Sequence, residues 1–539
     1  MRYIPVRILA TTAVAFSFVL FSASLNLSAT AQAFEAPQTG KALRYCNPLP
    51  LMASSKDGSA QGVSLGDVTV VREGDSYYLF GSGGGAWVSR DFVDWKYQPV
   101  EVRGTRFFPI APHVFKYNGT FYLTGNDLPL YKSASILGPY EMLGQWKNEK
   151  GEPWTVTFNG KTENGAFDPD IFIDDDNQPY LYFPGRSTAG IYVAPLDPKD
   201  LTHFLAAPKH LFGFDSSHLW ERWGEKNEYP AIAWIEGPWM FKHNGTYYIE
   251  YSASGTQWLT YASGVYKAKS PLGPFTYSER NPLLRKTTGI VTGPGHGSIV
   301  QGPDGNWWVF YTTVMSNPPG GRRIGMDPIA FDANGDPYTL GPSETPQWAP
   351  GVVRDPVHAG DSGSVAVSIN KMRAMHTESS FSSERTGHEA ACATDDWNGT
   401  VWEPAEDDKQ PTLTIDLVAP TEFETGQYFQ IDSSRIEFAT GNPWGFFGGR
   451  GKTEAVKTAP GEAKAFCYKI EASIDGKQYT TVLDKTKNEI TRYTEFDEIT
   501  PTKCRFVRLT ITDWPQNNGT PLGVIEFTVF GKAIATPMH

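Results

Sequence analysis

Three acidic residues and one histidine hold matching places along the chain. Asp67, Asp168, Glu236 and His296 each stand just before an apolar run that turns and returns as a second apolar run. Two carboxyl groups, one protonated and one ionised, are what hydrolysis of a glycosidic bond requires, because the leaving oxygen must gain a proton while water is activated. A third carboxylate nearby raises the proton affinity of the acid by like-charge repulsion. The four residues are therefore candidates for a hydrolytic site.

The neighbours of each carboxylate suggest its role. Glu236 lies between Ile235 and Gly237-Pro238-Trp239, and such apolar surroundings favour the protonated form that a general acid needs. Asp67 is then the natural base and Asp168 the modulator of the acid. The alternative is that acidic residues at strand starts are solvated loop charges. The matching position of these residues in the repeat favours a functional site over that alternative.

The candidates belong to a repeat of five hairpin units. In the stretch from Trp234 to Ser252, two strand-like runs flank Asn244-Gly245, which predicts a β-hairpin. Units too small to bury both faces of a sheet stack around an axis, as in a β-propeller. Because the innermost strand of each blade begins near the central channel, the candidates are expected at one mouth. The units open at Asp67, Ala111, Asp168, Glu236 and His296.

The composition agrees with an all-β protein that binds an uncharged ligand. Aromatic residues make up 14% of the 539 residues, with 53 Gly and 40 Pro, which suits a turn-rich β fold. The formal net charge of -12 disfavours nucleic acid as a partner. A neutral polysaccharide or oligosaccharide is easier to reconcile with this charge, and the protein is expected to be a monomer or small homo-oligomer.

The first 33 residues predict a signal peptide. Arg2 and Arg7 precede the apolar run from Ile8 to Leu27, and Ala31-Gln32-Ala33 fits small-x-small cleavage. A membrane anchor is the alternative, but Thr, Ser and Asn interrupt the run. We therefore expect a secreted or periplasmic protein without membrane insertion. Its four cysteines allow three fully paired connectivities, a single bridge among the three in the last third of the chain is the alternative to two bridges, and their spacing matches no zinc site.

Four motifs of the propeller segment together carry a family resemblance. They are Gly66-Asp67-Val68 with Tyr77-Tyr78 and Trp95, the run 168–176 with Tyr180-Leu181, Glu236-Gly237-Pro238 with Tyr247-Tyr248, and Gly295-His296-Gly297-Ser298 with Trp307-Trp308. With these motifs the segment resembles glycoside hydrolase family 43. That resemblance implies a five-bladed β-propeller and an inverting enzyme acting mostly on xylose- and arabinose-containing polysaccharides, with no catalytic cofactor. By the resemblance Asp67 is the general base, Glu236 the general acid, and Asp168 the residue that modulates and orients the acid.

The same resemblance implies two substrate-binding residues. His296 matches a channel histidine that in some members holds an ion or water beneath the sugar, although a lone histidine is often structural. Arg322, or failing it Arg323, matches an arginine that reaches back to the active site, with surface exposure as the alternative. Both assignments are expectations for the site.

Two departures from the family pattern bear on specificity. The base usually stands in Asp-Pro, whereas here Val68 follows it, and the second unit opens with Ile110 where the family has Trp. Loss of that Trp puts xylose and arabinose specificity in question and admits galactose or galactofuranose. His113 and Phe108, with Phe107, are the predicted substitutes in the pocket; core packing of the two Phe is the alternative.

A second domain follows a linker. We place the propeller at 34–342, a Pro-, Gly- and Asp-bearing linker at 343–363 and a β-sandwich at 364–533, where short alternating strands replace the repeat. This part resembles the discoidin-like jelly roll of the coagulation factor 5/8 C-type family, a class that includes carbohydrate-binding modules. By resemblance, Asp395, Thr400 and Glu526 would hold a structural Ca²⁺. The aromatic loop 441–450 either stacks on sugar or docks on the propeller.

Two rivals to a family 43 hydrolase remain. A retaining fructan-type propeller hydrolase is disfavoured because its Asn-Asp-Pro and Glu-Cys motifs are missing from the sequence. A non-catalytic glycan-binding propeller is disfavoured because binding does not need three carboxylates at one mouth. The insertion 201–233 with His218, Trp220 and Trp223 either walls a cleft or covers a blade edge.

Overall fold

A computed structural model describes most of the chain. The predicted leader, Phe107 and the aromatic loop 441–450 lie outside the described residues. No helix in the described ranges has both the length and the apolar character needed to cross a bilayer. The described ranges are 43–51, 65–82, 84–104, 108–158, 161–163, 165–317, 321–352, 361–371, 380–418, 427–439, 465–515 and 521–534.

Five antiparallel sheets follow one another along the chain, and each adds its main strands in sequence order. Asn–Gly turns join inner strands because both positions accept positive φ: Asn118 and Gly119 have φ 46° and 81°, Asn244 and Gly245 have 48° and 72°. These sheets are the five blades of a β-propeller, as the repeat predicted.

The blades have the following strands. Blade 1 contains Thr69–Glu73, Ser76–Phe80, Ala86–Ser89 and Lys96–Gln98; blade 2 contains His113–Tyr117, Thr120–Thr124, Leu130–Ser133 and Glu141–Gly144; blade 3 contains Asp170–Ile173, Pro179–Pro184, Ile191–Asp197, Asp200–Phe204 and Lys209–Phe212; blade 4 contains Glu236–His243, Thr246–Ala253, Ala262–Ala268, Thr276–Tyr277 and Leu284–Arg285; blade 5 contains Gly295–Gln301, Trp307–Met315, Gly321–Phe331 and Pro337–Tyr338.

A ring of side-chain hydrogen bonds ties the innermost strands together. One residue near the start of each inner strand bonds the backbone of the next blade's inner strand, so the five contacts run around the channel and close on blade 1. The bonded pairs are Thr69 Oγ1 to Pro112 O, Ile171 N to His113 Nε2, Met240 N to Asp170 Oδ2, Trp239 Nε1 to Ile299 O, and Val70 N to Ser298 Oγ. The ring fixes the mouth from which the site residues project.

The C-terminal strands form two four-stranded sheets around one apolar core, and this β-sandwich was also predicted. Trp402, Ile436 and Phe438 are buried in that core. One sheet has Val365–Ala366, Val524–Ile534, Tyr428–Phe438 and Thr494–Cys504; the other has Thr412–Asp416, Phe506–Asp513, Cys467–Ser473 and Thr480–Lys485. Propeller and sandwich sheets belong to one compact unit; the domain boundaries themselves stay a prediction.

Small elements complete the fold. Two-stranded sheets pair Arg44–Tyr45 with Gln347–Trp348 and Val156–Phe158 with Lys161–Glu163. Short 3₁₀ helices cover Ser187–Ala189, Leu219–Glu221 and Ala390–Thr394. The four cysteines, all within the described ranges, are free thiols. Neither the single bridge nor the two bridges expected from the sequence are present among these residues.

Candidate active site

A residue in the left-handed backbone region lies within two positions of the start of each inner strand. Asp67, Ala111, Asp168, Gly237 and His296 have φ of 52°, 44°, 42°, 58° and 45°. Left-handed backbone is costly for residues other than glycine, and its repetition at one place marks a functional rim. In blade 4 the left-handed residue is Gly237, so Glu236 stands one residue before the position that the repeat alone predicted.

Asp67 is buried and held in its ionised form. Arg322 Nη1 lies 2.6 Å from Asp67 Oδ1, His296 Nδ1 lies 3.4 Å from the same oxygen, and the Ser82 hydroxyl donates to Oδ2. Burial raises the pKa of Asp67, but Arg322, His296 and Ser82 together outweigh burial and leave this pKa below its usual value. A carboxylate that stays ionised can accept a proton from water.

Asp168 lies between the other two carboxylates. His296 Nδ1 is 3.7 Å from its Oδ2, the Gly237 N–H donates to Oδ2 at 3.3 Å, and the Asn126 side chain accepts the Asp168 N–H at 2.6 Å. Burial raises the pKa of Asp168, and the charge of Asp67 raises it further against the opposing effect of His296. Asp168 is therefore placed to influence both neighbours.

Glu236 is strongly driven to keep its proton. Burial raises the pKa of Glu236 well above its usual value, and repulsion from Asp168 adds to this effect. The Tyr261 hydroxyl donates to Glu236 Oε1 at 2.8 Å and opposes the rise. Glu236 and Asp67 at one mouth are thus held in opposite protonation states.

Two glycines allow the close packing of this site. A Cβ at Gly66 would lie 2.6 Å from the Arg322 guanidinium carbon, and a Cβ at Gly237 would lie 2.9 Å from the His296 ring. Both distances are too short for any side chain. Arg322 and His296 can therefore pack directly on backbone beside Asp67 and Glu236.

Arg322, not Arg323, reaches the site. The two residues are neighbours on one strand, so their side chains leave opposite faces. Arg322 meets Asp67, whereas Arg323 Nε donates to Glu437 Oε1 of the sandwich at 2.8 Å. Both arginines are buried, and the exposed alternative does not hold for either.

The structure does not bring the two other predicted pocket residues to the carboxylates. His113 Nε2 bonds the backbone of Ile171, its Nδ1 lies 3.5 Å from Asp170 Oδ1, and burial lowers its pKa to about 4. It serves the ring between blades 2 and 3. Phe108 packs against the apolar cluster between blades 1 and 2, which is the core-packing alternative for this residue.

Sequence reasoning missed an aromatic rim beside Asp168 and Glu236. Phe167 directly precedes Asp168, and Trp234 stands two residues before Glu236; their ring centroids lie 6.3 Å apart, and the Arg186 guanidinium carbon lies 4.2 Å from the Phe167 centroid. Asp127 Oδ1 accepts from Arg186 Nη2 at 2.8 Å. The position of each aromatic within two residues of a catalytic candidate was the available signal.

The insertion 201–233 covers a blade edge and also contacts the aromatic residue Trp234; a role in walling a cleft stays a prediction. Its first half includes Lys209–Phe212, which pairs with the edge of the strand Ile191–Asp197 in blade 3. Its second half brings Trp223 to within 6.5 Å of Trp234 and 5.9 Å of Trp258, measured between ring centroids. The insertion thus covers a blade edge and extends the rim.

The residues predicted to hold Ca²⁺ have the following contacts. The Thr400 hydroxyl lies 3.0 and 2.9 Å from the two Asp395 carboxylate oxygens, and Glu526 Oε2 accepts the Asp396 N–H at 3.1 Å. No cluster of three or more His, Cys, Asp or Glu side chains among the described residues is arranged for a metal. Ca²⁺ takes six to eight oxygens. Calcium binding, and an ion at His296, stay predictions.

Two further carboxyl groups are buried in the propeller away from the rim. Glu250 and Asp170 each have their pKa raised to about 8 by burial. A folded-state pKa above the unfolded value means that stability is fully present below the unfolded pKa and is lost as pH rises through about 8. These residues therefore hold their protons in the fold at neutral pH.

We expect Glu250→Gln to flatten the fall of thermal stability between pH 5 and pH 8. The amide mimics the protonated carboxyl group, and the wild-type loss is at most about 1.4 kcal/mol per pH unit for one group. Thermal unfolding of both proteins across this pH range measures the effect, with exposed Glu279→Gln as the control. Parallel curves for Glu250→Gln and wild type would show that Glu250 is ionised in the fold.

The fold and this geometry define a class: a five-bladed β-propeller with an acid–base carboxylate site at its mouth and a β-sandwich behind it. Residues 62–337, just over half of the 539, match the family model described as Glycosyl hydrolases family 43. The chain belongs to that family. Residues 447–525 match the F5/8 type C domain model, as the second resemblance predicted.

Individual relatives are similar over part of their length. A Beta-D-galactofuranosidase of Aspergillus niger is 31% identical over 220 residues, which is 40% of this chain and 56% of that protein. A putative beta-xylosidase of Xylanibacter ruminicola is 28% identical over 291 residues, 50% of this chain and 48% of that protein. A solved thermostable family-43 glycoside hydrolase is 28% identical, with TM-score 0.46 over 57% of this chain and 99% of its own. The chain spans about half the length of the curated relatives it matches.

Proposed function

We propose that this protein is an exported inverting glycoside hydrolase that removes a xylose-, arabinofuranose- or galactose-type sugar from an oligosaccharide or polysaccharide. The observation that carries the proposal is the opposite protonation of two buried carboxyl groups at one mouth. Asp67 has a pKa below its usual value and Glu236 a pKa well above it. Residues 1–33 support export through their signal-peptide pattern.

The mechanism follows from these protonation states. Asp67 accepts a proton from a water molecule, and the water oxygen attacks the anomeric carbon. Glu236 gives its proton to the leaving glycosidic oxygen as the bond to the anomeric carbon breaks. Each turnover leaves Asp67 protonated and Glu236 ionised, and exchange with solvent restores both. Asp168 favours the protonated form of Glu236 through repulsion.

The remaining residues of the mouth position these groups. Arg322 and His296 hold Asp67 by charge and fix its carboxylate toward the channel. Phe167 and Trp234 offer apolar surfaces against which a sugar ring can pack next to the acids. Three terminal sugars fit the comparisons, because the relatives carry the names galactofuranosidase, xylosidase and arabinofuranosidase.

The test is hydrolysis of 4-nitrophenyl xylosides, arabinofuranosides, galactosides and galactofuranosides by the protein purified from residue 34 onward. We expect turnover of one sugar class and, by NMR of the first product formed, the anomer inverted relative to the substrate. Retention of configuration would point instead to a covalent intermediate and refute the role of Asp67 as base. Binding of the same sugars without turnover would favour a glycan-binding protein.

The Ser82 hydroxyl provides a test of how Asp67 is kept ionised. Because this hydroxyl stabilises the charged form, Ser82→Ala is expected to raise the Asp67 pKa and move the acid limb of the kcat/KM profile up by about one pH unit. The alkaline limb, set by Glu236, is expected to stay in place. Kinetics from pH 3 to pH 9 measure both limbs, with half-buried Ser76→Ala, which does not contact Asp67, as the control. An unmoved acid limb would exclude Asp67 as its source.

A further inference from the structure

A loop of the sandwich is bonded into the propeller through Asn398. This side chain is fully buried; its amide nitrogen donates to Thr292 Oγ1 at 2.7 Å and to Ile290 O at 3.2 Å. Its side-chain oxygen accepts the Ser316 N–H at 3.2 Å, and its backbone oxygen accepts the Asn317 N–H at 3.0 Å. A buried amide with so many partners fixes the loop firmly. The loop thus has one defined position on blades 4 and 5.

The residue before this anchor packs behind the general acid's partner. Trp397 lies against an apolar cluster of Leu259, Tyr261 and Val314. On another side, the Tyr261 ring is so close to Gly295 that a Cβ there would lie 2.5 Å from it. Tyr261 is fully buried, and its hydroxyl donates to Glu236. Propeller backbone therefore packs against the ring that bonds Glu236, and the sandwich side chain packs on the apolar cluster that contains this ring.

A second contact joins the sandwich to the strand that carries the partner of the base. Glu437 of the sandwich is fully buried, accepts from Arg323 Nε at 2.8 Å, and also accepts the Thr494 hydroxyl. Arg323 Nη1 in turn donates to the backbone oxygen of Arg322 at 3.1 Å. Because buried ion pairs require close geometry, this contact holds the strand at the point where Arg322 leaves it.

We propose that the sandwich is a positioning part of the active site, in which Trp397, anchored by Asn398, keeps the Tyr261 hydroxyl bonded to Glu236. This inference rests on the proposed role of Glu236 as general acid. A substrate-binding module on a linker needs no contact with catalytic groups. Here the module completes the packing around Tyr261, the partner of Glu236. Removal of a single sandwich side chain therefore changes the titration of Glu236.

A double-mutant cycle on the titration of Glu236 tests the proposal without requiring turnover. The protein is labelled with ¹³C at the glutamate carboxyl carbon, and the Glu236 signal is assigned by its loss in Glu236→Gln. Tyr261→Phe removes a hydrogen bond to the carboxylate and is expected to raise the titration midpoint. In the Trp397→Ala background, the same substitution is expected to raise it by less than half as much. Equal shifts in both backgrounds would overturn the proposal.

Kinetics provide the second readout. Trp397→Ala is expected to lower kcat by about tenfold on a substrate with a poor leaving group and less than twofold on a 2,4-dinitrophenyl glycoside, since only the former needs the acid. Trp397→Phe, which keeps an aromatic ring, is expected to restore most of the loss. A proportional loss on both substrates would indicate a purely structural role and overturn the proposal.

The matched control is another buried contact between the same parts of the molecule. Arg44 Nη1 bonds Asp432 Oδ1 and Ser364 Oγ, each at 3.1 Å, and contacts neither Tyr261 nor Arg322. Arg44→Met is therefore expected to lower thermal stability while leaving the Glu236 midpoint unchanged. If Trp397→Ala does not fold, Trp397→Leu carries the same comparison. Failure of the proposed function is a separate outcome, because it would appear as absent turnover by the wild-type protein.

Discussion

Replacing Glu236 with Gln is expected to lower kcat by about 10²- to 10⁴-fold on substrates with poor leaving groups, the range that general acid catalysis contributes. The amide keeps the shape of the protonated carboxyl group but has no acidic proton to give. On 2,4-dinitrophenyl glycosides we expect a loss below about tenfold, because that leaving group departs as a stable anion and needs little protonation. Steady-state kinetics on aryl glycosides of graded leaving-group acidity measure the difference.

Glu250→Gln is the control for Glu236→Gln, because it makes the same substitution at a buried glutamate away from the mouth. Glu250 is as buried as Glu236 and also has a raised pKa, about 8, yet its neighbours are the Ser263 side chain and the Gly297 backbone. Glu250→Gln is expected to leave the leaving-group dependence unchanged. An equal loss on every leaving group for Glu236→Gln would contradict its role as the acid and indicate a role in binding instead.

The repeat was predictable from the sequence because each hairpin is determined by residues that are close together in the chain. Turns such as Asn244-Gly245 and the apolar runs beside them determine hairpins without reference to distant residues. From five hairpins follow the propeller and the convergence of Asp67, Asp168 and His296. Glu236 departs by one residue because the left-handed position of blade 4 falls on Gly237. Which residue adopts this conformation depends on the contacts around it, which spacing alone does not reveal.

Partners that come from other strands of the same blade were beyond sequence reasoning. Tyr261 bonds Glu236 from the third strand region of blade 4, and Ser82 bonds Asp67 from the end of a blade 1 strand. Tyrosine and serine are common residues, so neither carries a signal of its own. His113 shows the converse: its type suggested a pocket, while its position in the inner strand made it part of the ring. In each case the contact depends on how the strands are arranged in three dimensions, which the residue type does not show.

Strand geometry limits which of Arg322 and Arg323 can reach the active site. Adjacent residues on a strand face opposite sides, so only one of the pair can reach the channel. The sequence does not state which side faces inward, because both residues are charged. The structure resolves it through Gly66, where only a missing Cβ leaves room for the guanidinium of Arg322.

Asp67→Asn is expected to lower kcat by about 10²- to 10⁴-fold on all aryl glycosides, activated or not. The loss of the base affects the attack of water, and that step is needed whichever group leaves. This pattern differs from that of Glu236→Gln, so the two variants assign the two roles independently. Asp327→Asn is the control, because Asp327 is also buried but accepts from Tyr311 and the Ser343 backbone, away from the mouth.

Azide rescue of Asp67→Asn, combined with the configuration of the wild-type product, separates a lost base from a lost nucleophile. Azide needs no deprotonation, so in an inverting enzyme it takes the place of water in Asp67→Asn, and the product is a glycosyl azide inverted relative to the substrate. In a retaining enzyme that has lost its nucleophile, azide would likewise give the inverted azide, but the wild-type protein would release the retained sugar. Inverted sugar from wild type together with inverted azide from Asp67→Asn therefore identifies Asp67 as the base. Retained sugar from wild type would assign Asp67 as nucleophile instead.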